Sequence, residues 1–423
     1  FIAGIFLVNM GYTNALYRYG SNPAEPLSDM NGSGGFAYGA WVLRAYWLSF
    51  AVILMVVAHI VWPRGTDTRW RSRLKRVRHG LKGAPLALMA TALVAMVGTG
   101  AYAWYNFKVL NRYESSNEGE KWQADYEKKY LKYEKLPRPT VKSVKFEVQI
   151  HPKDRRMDVV GSYILRNETG APLSEVHIRQ GDRDATFSLL DLKGAKLASE
   201  DKIFGYRIFR FEKPLAPGAE TELKFQSQIW HRGFRNGQPA TTVNLNGTFA
   251  NNRAFAPIIG MNRQEVIQDR TVRRRQGLPA ELRPAKLEDM SATRENYVRS
   301  DWIMSDITVT TDADQVPIAP GRKVADSTSN GRRTAHFVSS APIHNFLSIQ
   351  SARYKLTEKN YKGVQLTIFH DPRHEWNVPA MLKALEAGLD YYQANFGPYQ
   401  FDHARIIEFP GYQTFAQAFA GTM

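Results

Sequence analysis

The chain has 423 residues, room for more than one domain at ~150 residues each, and no cysteine, which excludes a disulfide framework, a thiolate metal site and a cysteine nucleophile. Lys and Arg number 56 against 40 Asp and Glu, and the resulting charge of +16 fits nucleic acid, anionic lipid or a few concentrated basic runs. A composition of 43% hydrophobic and 23% charged residues matches a globular average yet leaves room for membrane segments, so location has to decide.

The opening FIAGIFLVNM is apolar but too short to span a bilayer, and it reads as the end of a helix begun upstream. The stretches 45–62 (AYWLSFAVILMVVAHIVW) and 86–105 (LALMATALVAMVGTGAYAWY) carry no formal charge, and each is long enough to cross ~30 Å of hydrocarbon as a helix. Trp41, Tyr46, Trp47, Trp62, Tyr102, Trp104 and Tyr105 gather at their ends, where aromatic rings favour the headgroup level. Between them, Arg64, Arg69, Arg71, Arg73, Lys75, Arg76, Arg78 and Lys82 face Asp67 alone, which marks the cytoplasmic side. A basic loop tied at both ends to membrane helices touches anionic lipid heads, so nucleic acid is not expected as a partner. The spacing therefore predicts a transmembrane region over 1–110, with everything after Phe107 outside the cytosol.

Residues 117–135 predict a helix with Trp122, Tyr126, Tyr130 and Tyr133 on one stripe, a docking face within a juxtamembrane stalk over 111–140. The breaker Leu136-Pro137-Arg138-Pro139 ends it. From Val141 the period changes to two. VKFEVQIH, MDVVGSYILRN, EVHIRQG, ATFSLLDL, GYRIFRFEK, TELKFQSQIW, DITVTT, RTAHFVSS and GVQLTIFH alternate apolar with polar between turn residues, predicting a mostly antiparallel β domain over 141–370. The Arg-rich interruption at 264–297, with Arg273-Arg274-Arg275, reads as a solvated excursion. After it, 378–394 places Met381, Leu382, Leu385, Leu389 and Tyr392 on one helical face, Gly397-Pro398 ends that helix, and HARIIEF is a short buried strand. A small α/β unit over 371–423 is the expectation.

Chemistry-bearing patterns are sparse. His370 and His374 stand four apart beside Glu375, but Pro372 lies between them and the helical zinc pattern H-E-x-x-H ends here in Val378, so this is read as a domain-junction turn and no metal ligand is assigned. No G-x-S-x-G, phosphate-loop or dinucleotide pattern follows a strand.

The stretch ALEAGLDYYQANFGPYQFDHARIIEFPGYQTFAQAF resembles the start of the catalytic domain in the aminopeptidase N family of zinc metallopeptidases, which also place an alternating β domain just before it. SDWIMSDITVTTDADQVPIAPGR and PIHNFLSIQSARY add to the likeness, and the membrane segments with FAYGAWVLRAYWLSF resemble bacterial fusions of that module to an ABC-exporter-type permease. The resemblance implies membrane α-helices followed by a saddle- or sandwich-like β domain and the start of an α/β metallopeptidase-like domain. It also implies a bacterial inner-membrane protein with its large domain in the periplasm, a bilayer and an ABC ATPase subunit as partners, a peptide substrate, and zinc held in the full-length parent by residues beyond this chain. The chain by itself is expected to be inactive. Phe415-Ala416-Gln417-Ala418-Phe419 falls opposite the family's G-A-M-E-N loop, so Ala418 stands where that family has the glutamate that pins a substrate α-amine. Gln417 and Glu408 are the substrate-binding candidates. The rival reading is an extracytoplasmic binding or gating domain of an exporter, without catalysis.

Overall fold

A computed structural model describes residues 6–8, 10–62, 80–282, 286, 288–290, 301–412 and 414–422. The basic segment over 63–79 and most of the opening apolar segment lie outside the described residues, as does part of the 264–297 interruption. The chain divides into two compact units. One comprises Phe1–Leu27, Gly32–Gly119 and Arg232–Ala240, and the other Ser28–Asn31, Glu120–His231 and Thr241–Met423.

The first unit is built on α1 (Ala37–Val61) and α2 (Ala84–Tyr105), both long and apolar enough to cross a membrane. Helix α1 starts earlier than the uncharged run at 45–62 because Arg44, which bounds that run, does not interrupt a helix; its guanidinium pairs with Glu25. Pro85 sits in the first turn of α2, where a missing N–H costs nothing, and a π-helical turn at Asn106–Leu110 prolongs it. The two helices meet through Leu43, Ala103 and Phe107. Gly100 lets the Tyr46 ring lie close, since a Cβ there would come within 2.9 Å of it. Segment 232–240 contributes Phe234, which lies against Gly39 and the rings of Tyr38, Tyr102 and Phe107. Outside this seam the helices expose Leu48, Leu54, Met55, Leu88, Leu93, Val94 and Val97.

The second unit begins in α3 (Ser116–Tyr130), whose aromatic stripe has found its surface. Trp122 stacks on Tyr126 and donates to Ile203 O, and Tyr130 stacks on Tyr206 at 4.0 Å. The next strands of this unit are β1 (Thr140–His151), β2 (Arg156–Arg166), β3 (Leu173–Gln180), β4 (Ala185–Leu192), β5 (Ala195–Asp201), β6 (Tyr206–Leu215), β7 (Glu220–Trp230), β8 (Thr248–Asn251) and β9 (Pro257–Ile259). After the short helices α4 (Asn252–Phe255) and α5 (Arg270–Arg275) come β10 (Trp302–Asp312), β11 (Val316–Ile318), β12 (Arg322–Ser329), β13 (Arg332–Val338), β14 (Ile343–His344) and β15 (Ser348–Ala352). The last elements are β16 (Lys355–Tyr361), β17 (Val364–His370), α6 (Val378–Phe396) and β18 (His403–Ile407).

The main sheet runs β12-β13-β10-β1-β2-β7-β4, with β14 on β10, and is antiparallel except for the parallel pair β1/β10. Alternation drives it. Val144, Phe146, Val148 and Ile150 of β1 and Met157, Val159, Tyr163 and Leu165 of β2 all turn inward, each buried side chain contributing ~1.5–3 kcal/mol. Facing members of the core come from the sheet β5-β6-β3-β9 and from β11-β15-β8. β5 and β12 are not legible as strands in the sequence because their side chains are almost wholly exposed, so no alternation marks them.

Arg273 is not a solvated residue of an excursion: its side chain is 1% exposed, and it makes a two-pronged pair with Glu127 of α3, itself 2% exposed. Its remaining donors reach Ile267 O and Pro279 O. Asp269 caps the N-terminus of α5 by accepting from Val272 N, which sets Arg273 on the inward side.

Candidate functional site

The chain ends in a βαβ unit. β17 and β18 pair in parallel from Gln365/His403 to Phe369/Ile407, and α6 crosses between them, packing Leu382, Leu385 and Leu389 on Val364 and Leu366. Pro379 stands in the first turn of α6, and Gly397, at φ 112°, releases the chain from it. In such a unit the carboxyl ends of parallel strands are where ligands are received. Here those ends carry His370, Asp371, Arg373, His374 and Glu408.

Glu408 follows β18 and is fully engaged. Its Oε1 accepts from His374 Nδ1 at 2.5 Å, and its Oε2 accepts from Asp371 N at 2.6 Å. The Glu408 carbonyl accepts from the buried Tyr354 hydroxyl at 2.7 Å, and burial, together with the nearby Glu408 charge, pushes that phenol well above its ordinary pKa. Asp371 accepts from the Arg373 guanidinium and amide, and these hydrogen bonds hold its carboxyl below the usual range against the opposing effect of burial. Arg373 also donates to Asp29 O, and His374 Nε2 lies 3.8 Å from the Asp29 carboxylate. His370 points elsewhere: Nδ1 donates to Asp371 O, and the ring is buried. The two histidines therefore do not converge on a shared point, and among the described residues no group of three or more His, Asp or Glu can hold a metal ion. The residues described do not fit a zinc site.

Gln417 lies in the exposed loop Thr414–Ala418, its side-chain amide donating to Ala418 O. The loop is held at both ends. Pro410 is buried against Gly247, and Phe419 is buried beside Phe249 and Phe346. Gly421 O then accepts from Gly321 N at 2.7 Å and from His403 Nε2 at 2.9 Å. Arg405 of β18 donates to Ala319 O and Gly321 O, and burial lowers its pKa to about 10. Neither Arg405 nor Tyr354 stands out in the sequence, since each looks like an ordinary strand-edge residue until its burial is known. Phe249, Phe409 and Phe415 form a ring cluster, of which Phe415 is exposed.

Chemically, the loop offers Gln417, backbone groups and the Phe415 ring. It has no charge to meet an ammonium, because Thr414, Phe415, Ala416 and Ala418 are neutral. Such a surface offers neutral hydrogen-bonding groups and one exposed ring. The Glu408 carboxylate, by contrast, ties the 371–374 turn to the end of β18.

No protein-family profile matches this chain, and no curated protein does. Among solved structures it is similar to a mutant M1 zinc metallopeptidase from Deinococcus radiodurans bound to a Tyr-Ser-Ala substrate, at 13% identity and a TM-score of 0.42, covering 66% of this chain and 59% of that one. It is also similar to a mutant two-domain M1 zinc metallopeptidase bound to L-tryptophan (14% identity, TM-score 0.41, 64% and 56% covered). An M1 zinc metallopeptidase from Deinococcus radiodurans matches at 14% identity and a TM-score of 0.41, over 66% and 59%. The chain spans less than two thirds of the length of each.

Proposed function

We propose that this chain is the membrane-anchored, outward-facing part of a zinc aminopeptidase-like module, supplying anchor, scaffold and peptide contacts while the metal is bound elsewhere in the protein. The reading rests first on one observation: α1 and α2 are long enough to span a bilayer and turn apolar side chains such as Leu54, Met55, Val94 and Val97 outward rather than into a core. The basic segment that joins them sets its side of the membrane as cytoplasmic, and the large β unit then faces the periplasm. The likeness of 384–419 to the opening of an aminopeptidase N catalytic domain supplies the substrate class, a peptide, met by Gln417. The resemblance of FAYGAWVLRAYWLSF and its neighbours to an ABC-exporter-type permease supports an ABC ATPase as partner.

The neutral loop favours a second reading, in which the module binds or gates a peptide without cleaving it. Ala418 cannot pair with an α-ammonium, so N-terminal recognition lacks its charge-assisted contact.

The test is made on the protein as produced in bacterial membranes. Protease added to spheroplasts is expected to cut beyond Tyr105 without permeabilisation, and cleavage only after the membrane is opened would overturn the orientation. Elemental zinc together with hydrolysis of aminoacyl reporter peptides supports the peptidase reading, and a metal-free protein that binds but does not cleave peptides supports the second. With an active enzyme, Gln417→Ala should raise KM by about tenfold or less at unchanged kcat, the mark of a uniform binding contact.

A further inference from the structure

The first unit carries a cleft beside α1. Tyr19, Gly20, Ser21 and Asn22 line, with Trp41, Arg44, Ala45, Trp47, Leu48 and Ala51 of α1, an open cleft of about 480 Å³. That volume falls within the ~300–1,000 Å³ of small-ligand pockets. Its walls are aromatic. Tyr19 meets Trp47 edge-on at 5.3 Å and Phe50 at 6.0 Å, and Trp47 is pinned by donating from Nε1 to Ser21 O. Its floor is apolar, since Leu48 and Ala51 continue along α1 into the exposed Leu54 and Met55.

One lining residue, Arg44, is charged, and its ion-pair partner Glu25 stands beside the lining. Arg44 lies over the Trp41 ring, 4.8 Å from its centre, and pairs with Glu25. That pair uses only part of a guanidinium that carries several N–H donors, so a phosphate can be taken by the same group. Glu25 beside it would repel a purely anionic headgroup but attract an ammonium. A groove that is apolar along its length, aromatic at its walls and ion-paired at one lining residue matches the order of parts in a zwitterionic lipid.

We propose that this cleft binds one phosphatidylethanolamine-type phospholipid, with an acyl chain along Tyr19, Trp47, Leu48 and Ala51, the phosphate on Arg44 and the ammonium on Glu25. The inference rests on the reading of α1 as a membrane helix. A free phosphate or an acyl chain alone would use only one half of the site.

The test uses the whole protein, reconstituted in nanodiscs of mixed phosphatidylethanolamine and phosphatidylglycerol and then released for native mass spectrometry. One phosphatidylethanolamine is expected to stay bound in excess of its share of the bilayer. Ala51→Trp, which fills the groove, should lower that bound fraction about tenfold, and Glu25→Gln should shift the retained species toward phosphatidylglycerol by a similar factor. Retention in proportion to bilayer composition, or equal retention in A51W, overturns the proposal. Should A51W fold poorly, the headgroup shift in E25Q decides alone. Resistance of each variant to carbonate extraction is measured in parallel. A protein that extracts as soluble defeats the membrane reading itself, whereas one that stays in the membrane without bound lipid defeats only this site.

Discussion

Gly161 occupies the middle of β2, where a residue without a side chain looks like a weakness. A Cβ there would lie 2.3 Å from the Phe225 ring and 2.9 Å from that of Phe146, in a cluster shared with Tyr163 and Phe255. The rings take the volume the glycine leaves, so Gly161→Ala should destabilise the protein by ~1–3 kcal/mol through overpacking, read as a lower midpoint in denaturant. A charge effect belongs to the same scale. Hydrogen bonds from Arg333, and then Lys323, hold the Asp326 carboxyl down to about 2, against ~3.9 in an unfolded chain. A depressed folded pKa contributes stability that is present above about pH 4 and is lost as pH falls toward 2. The group is near the surface, so the contribution is about 1 kcal/mol or less, and an Asp326→Asn variant should show a flatter acid limb in thermal unfolding between those values.

The helix α3 shows what a sequence can and cannot disclose about an element. Its aromatic stripe is legible from spacings alone, because Trp122, Tyr126 and Tyr130 must share a face, and Tyr133 follows in the 3-10 turn Leu131–Tyr133. The surface it docks on, Phe204 and Tyr206, cannot be read there, since nothing local couples residues so far apart in the chain. The same limit hides the Glu127–Arg273 pair, whose members look in sequence like two more solvated charges. Removing either alone, as in Glu127→Ala, leaves the other buried and uncompensated, and should cost ~3–5 kcal/mol and raise amide exchange along α3. Replacing both by apolar residues, Glu127→Leu with Arg273→Met, should restore most of that loss, and a double variant as weak as the single one would show that the pair is not the cause. Strands with one buried face are equally legible, while β5 and β12 are not. The closing βαβ unit can be anticipated from Pro379, Gly397-Pro398 and the apolar stripe, but the engagement of Glu408 by His374 and Asp371 depends on the parallel register of β17 and β18.

At the scale of the whole molecule, the chain does not pass once from its first unit to its second. Ser28–Asn31 belongs to the second unit although it lies in sequence within the first, and Arg232–Ala240 does the reverse. Met30 is buried with Val316, Ile318, Ala352 and Tyr354, and Phe234 with Leu43, Ala103 and Phe107. An obvious shortcut to a soluble sample, expressing only the polypeptide from Glu120 onward, would thus remove a plug from one interior and strand a sticky phenyl group on the piece that remains. A usable soluble version calls for splicing: a Met30 peptide supplied in trans or fused on, and Phe234 exchanged for a polar side chain.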